Sequence, residues 1–213
     1  MPLLILGKDV SNYVKSDPTA AALRVTLKPV ETNKNYQHIS AKTGALTGVA
    51  ANAPVYTLQN QSSNLLIIKR VKICFTLTTA FGAAQYLDFG LIVSRNITVP
   101  ATGGTLIPLT GNNANLYAAS PSVSQANCRI STTGTLTTGT RTLDSNYMAI
   151  AGNWMGAIGA MIPLTMLFEA AVGKYPITLA QGEGIEIAPV TAMGATGVGV
   201  LGVTVEFAET PAY

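Results

Sequence analysis

Leu65-Leu66-Ile67-Ile68-Lys69-Arg70-Val71-Lys72-Ile73-Cys74-Phe75-Thr76-Leu77 decides the fold class. Ile67, Val71, Ile73, Phe75 and Leu77 fall on one face of an extended chain, and Arg70, Lys72, Cys74 and Thr76 on the other. Lys69 is the only break in this two-residue period. A helix would need apolar residues at a spacing near 3.6, so the segment predicts a long β-strand entered from the turn-like Asn60-Gln61-Ser62-Ser63-Asn64.

Further strands follow in both directions. Leu23, Val25 and Leu27 alternate with Arg24, Thr26 and Lys28; Pro54 to Leu58 is a weak strand; Tyr86 to Val93 is a stronger one. Residues 96–143 are dense in Thr, Gly, Asn and Ser, and the seven Thr between Ser131 and Thr142 suit paired strands and long loops. Met161 to Ala171 is strand-like. Pro176 to Ile187 predicts two β runs joined by the Gly-rich turn Gln181-Gly182-Glu183-Gly184. Val198 to Phe207 alternates, with Gly202 expected as a bulge. Eight to ten short strands without a strong amphipathic helix predict an all-β fold, an antiparallel sandwich.

Composition agrees. In 213 residues, 28 Ala, 26 Thr and 20 Gly fill places usually taken by Lys and Glu. Only 11% of residues are charged and the mean hydropathy is +0.34, which excludes a disordered chain. Such a surface suits permanent subunit contacts; a neutral, Thr-rich wet surface is the alternative. Residues 1–53 read as an N-terminal arm and loop region, and residues 54–213 as the sandwich domain.

The net charge of +3 is too small for a nucleic-acid binder. Residues 1–72 nevertheless hold nine Lys/Arg against three Asp/Glu, while the remainder holds four against seven. Lys8, Lys15, Lys28, Lys34 and Lys42 are spaced for a long polar contact with an acidic partner, unless the imbalance is only a solvated surface. Lys69, Arg70 and Lys72 are expected as a solvated strand edge. Met1 to Asp9 has four consecutive apolar residues and no leading positive charge, too short for a signal-peptide core, so a cytosolic origin is expected. Cys74 and Cys128 lack metal or redox spacing; one bridge is open, but two buried free thiols are favoured.

Ser145 to Phe168 runs 24 residues without a charge and contains Gly152-Asn153-Trp154-Met155-Gly156, the small-residue spacing of packed membrane helices. Asn153, Pro163 and further Gly and Thr breaks argue against a membrane span and for a buried or interface segment, Trp154 included. Residues 96–168 carry only Arg129, Arg141 and Asp144. They are expected to supply contacts between identical subunits, in a dimer or trimer.

Catalytic patterns are weak. His38 is the only histidine and sits in a polar stretch without a GxSxG element. Gly197-Val198-Gly199-Val200-Leu201-Gly202 matches GxGxxG, but it continues into a strand and lacks the helix and distant acid a dinucleotide site needs. Glu183/Glu186 and Glu206/Glu209 offer acid pairs for a glycosidase, yet residues three apart on a strand face opposite ways. No catalytic, cofactor or metal site is expected.

The turn, apolar strand and Lys69-Arg70-Val71 element, with the late Gly182-Glu183-Gly184 hairpin and final Gly202 to Phe207 strand, resembles small jelly-roll-like virion proteins of tailed bacteriophages. The likeness covers residues 55–207. It implies a structural role in the virion, assembled in the host cytoplasm, as a decoration, cement or head-fibre protein. The implied partners are identical subunits and the major capsid protein or another virion protein, with no nucleic acid and no membrane. A tail-associated host-recognition module binding a receptor or carbohydrate is the alternative, and a polysaccharide-degrading enzyme a third reading.

Overall fold

A computed structural model of the chain describes residues 36–109, 126–170 and 175–210, with two short strands before them. The chain divides into two compact units, Met1–Asn33 and Lys34–Tyr213. In the first, β1 (Lys15–Asp17) pairs antiparallel with β2 (Ala22–Arg24), Lys15 opposite Arg24.

The second unit is an all-β antiparallel sandwich, and no helix occurs among the described residues. In chain order its strands are β3 (Tyr36–Lys42), β4 (Tyr56–Gln59), β5 (Leu65–Thr79), β6 (Gln85–Arg95) and β7 (Thr105–Leu106). They continue with β8 (Asn127–Ile130), β9 (Thr142–Leu143), β10 (Ala149–Met155), β11 (Met161–Glu169) and β12 (Ile177–Leu179). The last two are β13 (Gly184–Pro189) and β14 (Val198–Thr210). Sheet I has the order β11-β5-β14-β3, with β12 following β11 along β5; sheet II has the order β10-β6-β13-β4-β8-β7, with β9 beside β6. In chain order the main strands pair first with last and inward from there: β3 with β14, β4 with β13, β5 with β11 and β6 with β10.

Phe75 of sheet I and Phe89 of sheet II meet across the interior, ring centroids 5.3 Å apart. Tyr56, Leu58, Leu66, Ile68, Ile73, Leu87, Leu91 and Phe207 are fully buried around them. On β5 the alternation changes phase at Lys69. Glu206 lies opposite Arg70 and Phe207 opposite Ile68, so Lys69 has no partner on β14 and forms a bulge. Leu66 and Ile68 therefore share the core face with Val71, Ile73, Phe75 and Leu77, in place of the expected Ile67.

Three other expectations are corrected. The arm does not extend to residue 53: β3 pairs with β14 along seven residues, and Leu46 and Val49 join the core. The runs around Gly182 are not a hairpin, because β12 pairs in sheet I and β13 in sheet II; the turn carries the chain between layers. Gly202 is in regular register opposite Cys74, and a Cβ there would lie 2.7 Å from the Cys74 sulfur. That close approach accounts for the glycine without a bulge.

Candidate interaction edge

The expected basic contact lies largely beyond view. Lys8, Lys28 and Lys34 are outside the described residues, and of Lys15 only the strand placement is described. Lys42 is exposed at the end of β3 and lines a shallow groove of about 330 Å³ with Ser40, Cys74, Leu164, Gly202 and Thr204. Lys69, Arg70 and Lys72 do not form a sheet edge, since β5 is flanked by β14 on one side and by β11 and β12 on the other. Arg70 instead joins Glu169 at 2.7 Å and Glu206 at 3.0 Å, in a row across three strands.

The acid pairs do not converge. Glu183 binds Arg95 at 2.6 Å, and the fully buried Glu186 binds Arg141 at 2.5 Å. Glu206 faces outward to Arg70, whereas Glu209 is buried under the Asn60–Asn64 turn, accepting hydrogen bonds from Asn64 and Ser62. His38 stands opposite Glu206 with Nδ1 buried and unpartnered. Cys74 is half-buried on sheet I and Cys128 is buried in sheet II, both as free thiols. Burial pushes the Cys128 thiol up to about 12.

What the structure does bring together is apolar surface at one side of the sandwich. β10 and β11 are both outer strands, one of each sheet, and only Gly156–Ala160 separates them in the chain. This turn is fastened to β5 by hydrogen bonds between Leu77 and both Gly159 and Ala160. On β10 the bulky residues point outward: Ile150 is 52% and Trp154 60% exposed, while Ala151 and Met155 face inward. Tyr86 lies directly opposite Trp154 and is 46% exposed. Gly152 permits this, because the Tyr86 hydroxyl lies 2.7 Å from where a Cβ would stand. Ile158 at the turn and Met148 just before β10 are exposed too, and Met161, Leu164 and Met166 of β11 are exposed on the outer face of sheet I, Leu164 in the groove with Lys42.

These eight side chains are 42–70% exposed, those of β10 with Tyr86 on the outer face of sheet II and those of β11 on the outer face of sheet I. No Asp, Glu, Lys, Arg or His interrupts residues 145–168. Of the two readings of this segment, buried or interface, burial within the chain is overturned for Trp154. Its signal was legible in reverse: Ala149-Ile150-Ala151-Gly152-Asn153-Trp154-Met155 alternates, but its larger residues point away from the core. No helix among the described residues is long and apolar enough to cross a membrane, and none of their side chains form a group of three or more metal-ligand residues. In comparison with known proteins, the chain matches no family model and no curated protein.

Proposed function

We propose that the chain is a structural protein of a bacteriophage virion, bound to the capsid surface as a decoration, cement or head-fibre protein and associated with identical subunits. The observation that carries this reading is the set of exposed apolar side chains on β10 and β11, the neighbouring outer strands of the two sheets, in a segment without charge over residues 145–168. The pairing of the first main strand with the last and of the second with the last but one supports a jelly-roll reading of the sandwich, an architecture that viral capsid domains use. Lectins and cupins use that architecture too, so the surface bears more weight than the fold.

In this reading the basic N-terminal third, with Lys8, Lys15, Lys28, Lys34 and Lys42, meets the major capsid protein or another virion protein. The chain carries out no chemical step and holds no cofactor. Mass spectrometry of purified particles, with heads and tails separated by density, tests the proposal. The protein is expected at high copy in the head fraction, and its absence from particles overturns the reading.

One observation favours the alternative of a tail-associated host-recognition module. Trp154 and Tyr86 form an exposed aromatic pair of the kind that stacks on sugar rings. Tail-only recovery, together with glycan binding lost in Trp154→Ala, promotes that module over the capsid role.

A further inference from the structure

We infer that β10 joins two copies of this chain, pairing antiparallel with its own counterpart about a twofold axis at Gly152 and extending sheet II across the dimer. This rests on the self-association in the proposed function and names the strand and register that perform it. An outer strand leaves alternate backbone N–H and C=O groups without a strand partner, and proteins protect such edges by charge, proline, bulges or shortness. The other outer strands are protected. β3 carries His38 and Lys42, and β7 has two residues. β11 contains Pro163 and is irregular at two places, between Ile162 and Thr165 and between Met166 and Phe168.

β10 has none of these devices. Its seven residues pair with β6 in unbroken register and include neither a charge nor a proline. The Asn153 side chain occupies one end, where Oδ1 accepts the Trp154 N–H and Nδ2 donates to the Met161 carbonyl, and Asn153 must release Trp154 for that residue to pair across the axis.

The occupant follows from charge and pattern. A strand without charge offers nothing to select an acidic or basic partner, and it meets itself without repulsion. Pairing sets the exposed Ile150 and Trp154 of one copy alongside those of the other on one sheet face. A twofold axis between antiparallel strands stands perpendicular to the sheet, so each side chain keeps its face. Centring on Gly152 uses all seven residues and sets Ile150 opposite the partner's Trp154, twice, with Gly152 opposite itself. Aliphatic–aromatic pairs of this kind are favourable across strands.

Light scattering of the full-length protein is expected to show a dimer, and a monomer at high concentration overturns the inference. In a Cys74→Ser background, the double variant Ile150→Cys/Trp154→Cys is expected to form an intermolecular disulfide, while Ile150→Cys alone does not. Ile150→Glu or Trp154→Lys alone is expected to weaken the dimer about tenfold or more, and the two together to restore it, because the opposite charges then face each other. A dimer indifferent to Ile150→Glu overturns the β10 pairing. Recovery of the protein in particles is scored separately. If it is in particles but its dimer ignores Ile150→Glu, the pairing falls and the virion reading stands. If the β10 dimer forms but particles lack the protein, the pairing stands and the virion reading falls.

Discussion

Glu186 shows how one residue holds the segment before β9 against sheet II. It sits on β13 in the middle of sheet II, fully buried, with Oε1 bound to Arg141 and Oε2 without a partner. Breaking such a pair from one side leaves a buried charge, which costs about 3–5 kcal/mol, whereas replacing both ends with apolar groups costs far less. Arg141→Met is therefore expected to lower stability by that amount in urea unfolding, and Arg141→Met/Glu186→Leu to recover most of it. The sequence offered Glu186 as half of an acid pair; only the fold shows that its partner is a cation 45 positions away.

Glu209 makes a pH-dependent contribution. Burial raises its pKa, and hydrogen bonds from Asn64 and Ser62 offset part of that. The folded protein thus keeps this proton to higher pH than the unfolded chain, whose carboxyl titrates near about 4.3. The associated stability is complete below the unfolded value and is lost as pH rises through the folded one. Glu209→Gln, which retains an acceptor oxygen, is expected to raise the melting temperature at pH 7. Scanning calorimetry should show the gain shrinking toward zero below about pH 4.

At the scale of elements, the phase change on β5 is the feature most open to test. Lys69 lets Leu66 and Ile68 share the core face with Val71 and Ile73 while both halves of the strand stay paired with β14. Deleting Lys69 removes the extra residue and leaves the Ile68–Phe207 and Arg70–Glu206 pairs consecutive, so both halves keep their faces, whereas deleting Lys72 from the regular half slips one side of the strand by a residue and turns its side chains to the opposite face. The Lys72 deletion is expected to abolish cooperative unfolding or cost several kcal/mol, whereas the Lys69 deletion keeps a cooperative transition. Circular dichroism with urea titration distinguishes the two. The break was visible in the sequence as an interruption of the period. Which half kept the core face was not, because a run of four apolar residues fits either phase.

For the whole molecule, the unit boundary at Asn33/Lys34 leads to a truncation test. A chain starting at Lys34 keeps β3 and is expected to melt within a few degrees of the full protein. A chain starting at Ala53 loses β3, Leu46 and Val49, and leaves one side of β14 unpaired over Gly202 to Ala208. It is expected to aggregate or to melt at least about 10 °C lower, measured by light scattering and calorimetry. If the Ala53 chain is as stable as the full protein, β3 is dispensable to the sandwich.

The sequence by itself determined the fold class, because a side-chain period of two is a local property of the extended backbone. β5, β6, β11 and β14 all announce themselves in that way. It also showed that residues 145–168 lack charge, though not whether they lie inside or outside. Tertiary structure alone decided the rest. β3 was hidden in a polar stretch because its place comes from pairing with β14, more than 160 residues later. Trp154 is exposed because β10 ends sheet II, and alternation carries no label for which side the second sheet occupies. The apolar edge exists only because β10 and β11, neighbours in the chain, end different sheets on the same side of the sandwich.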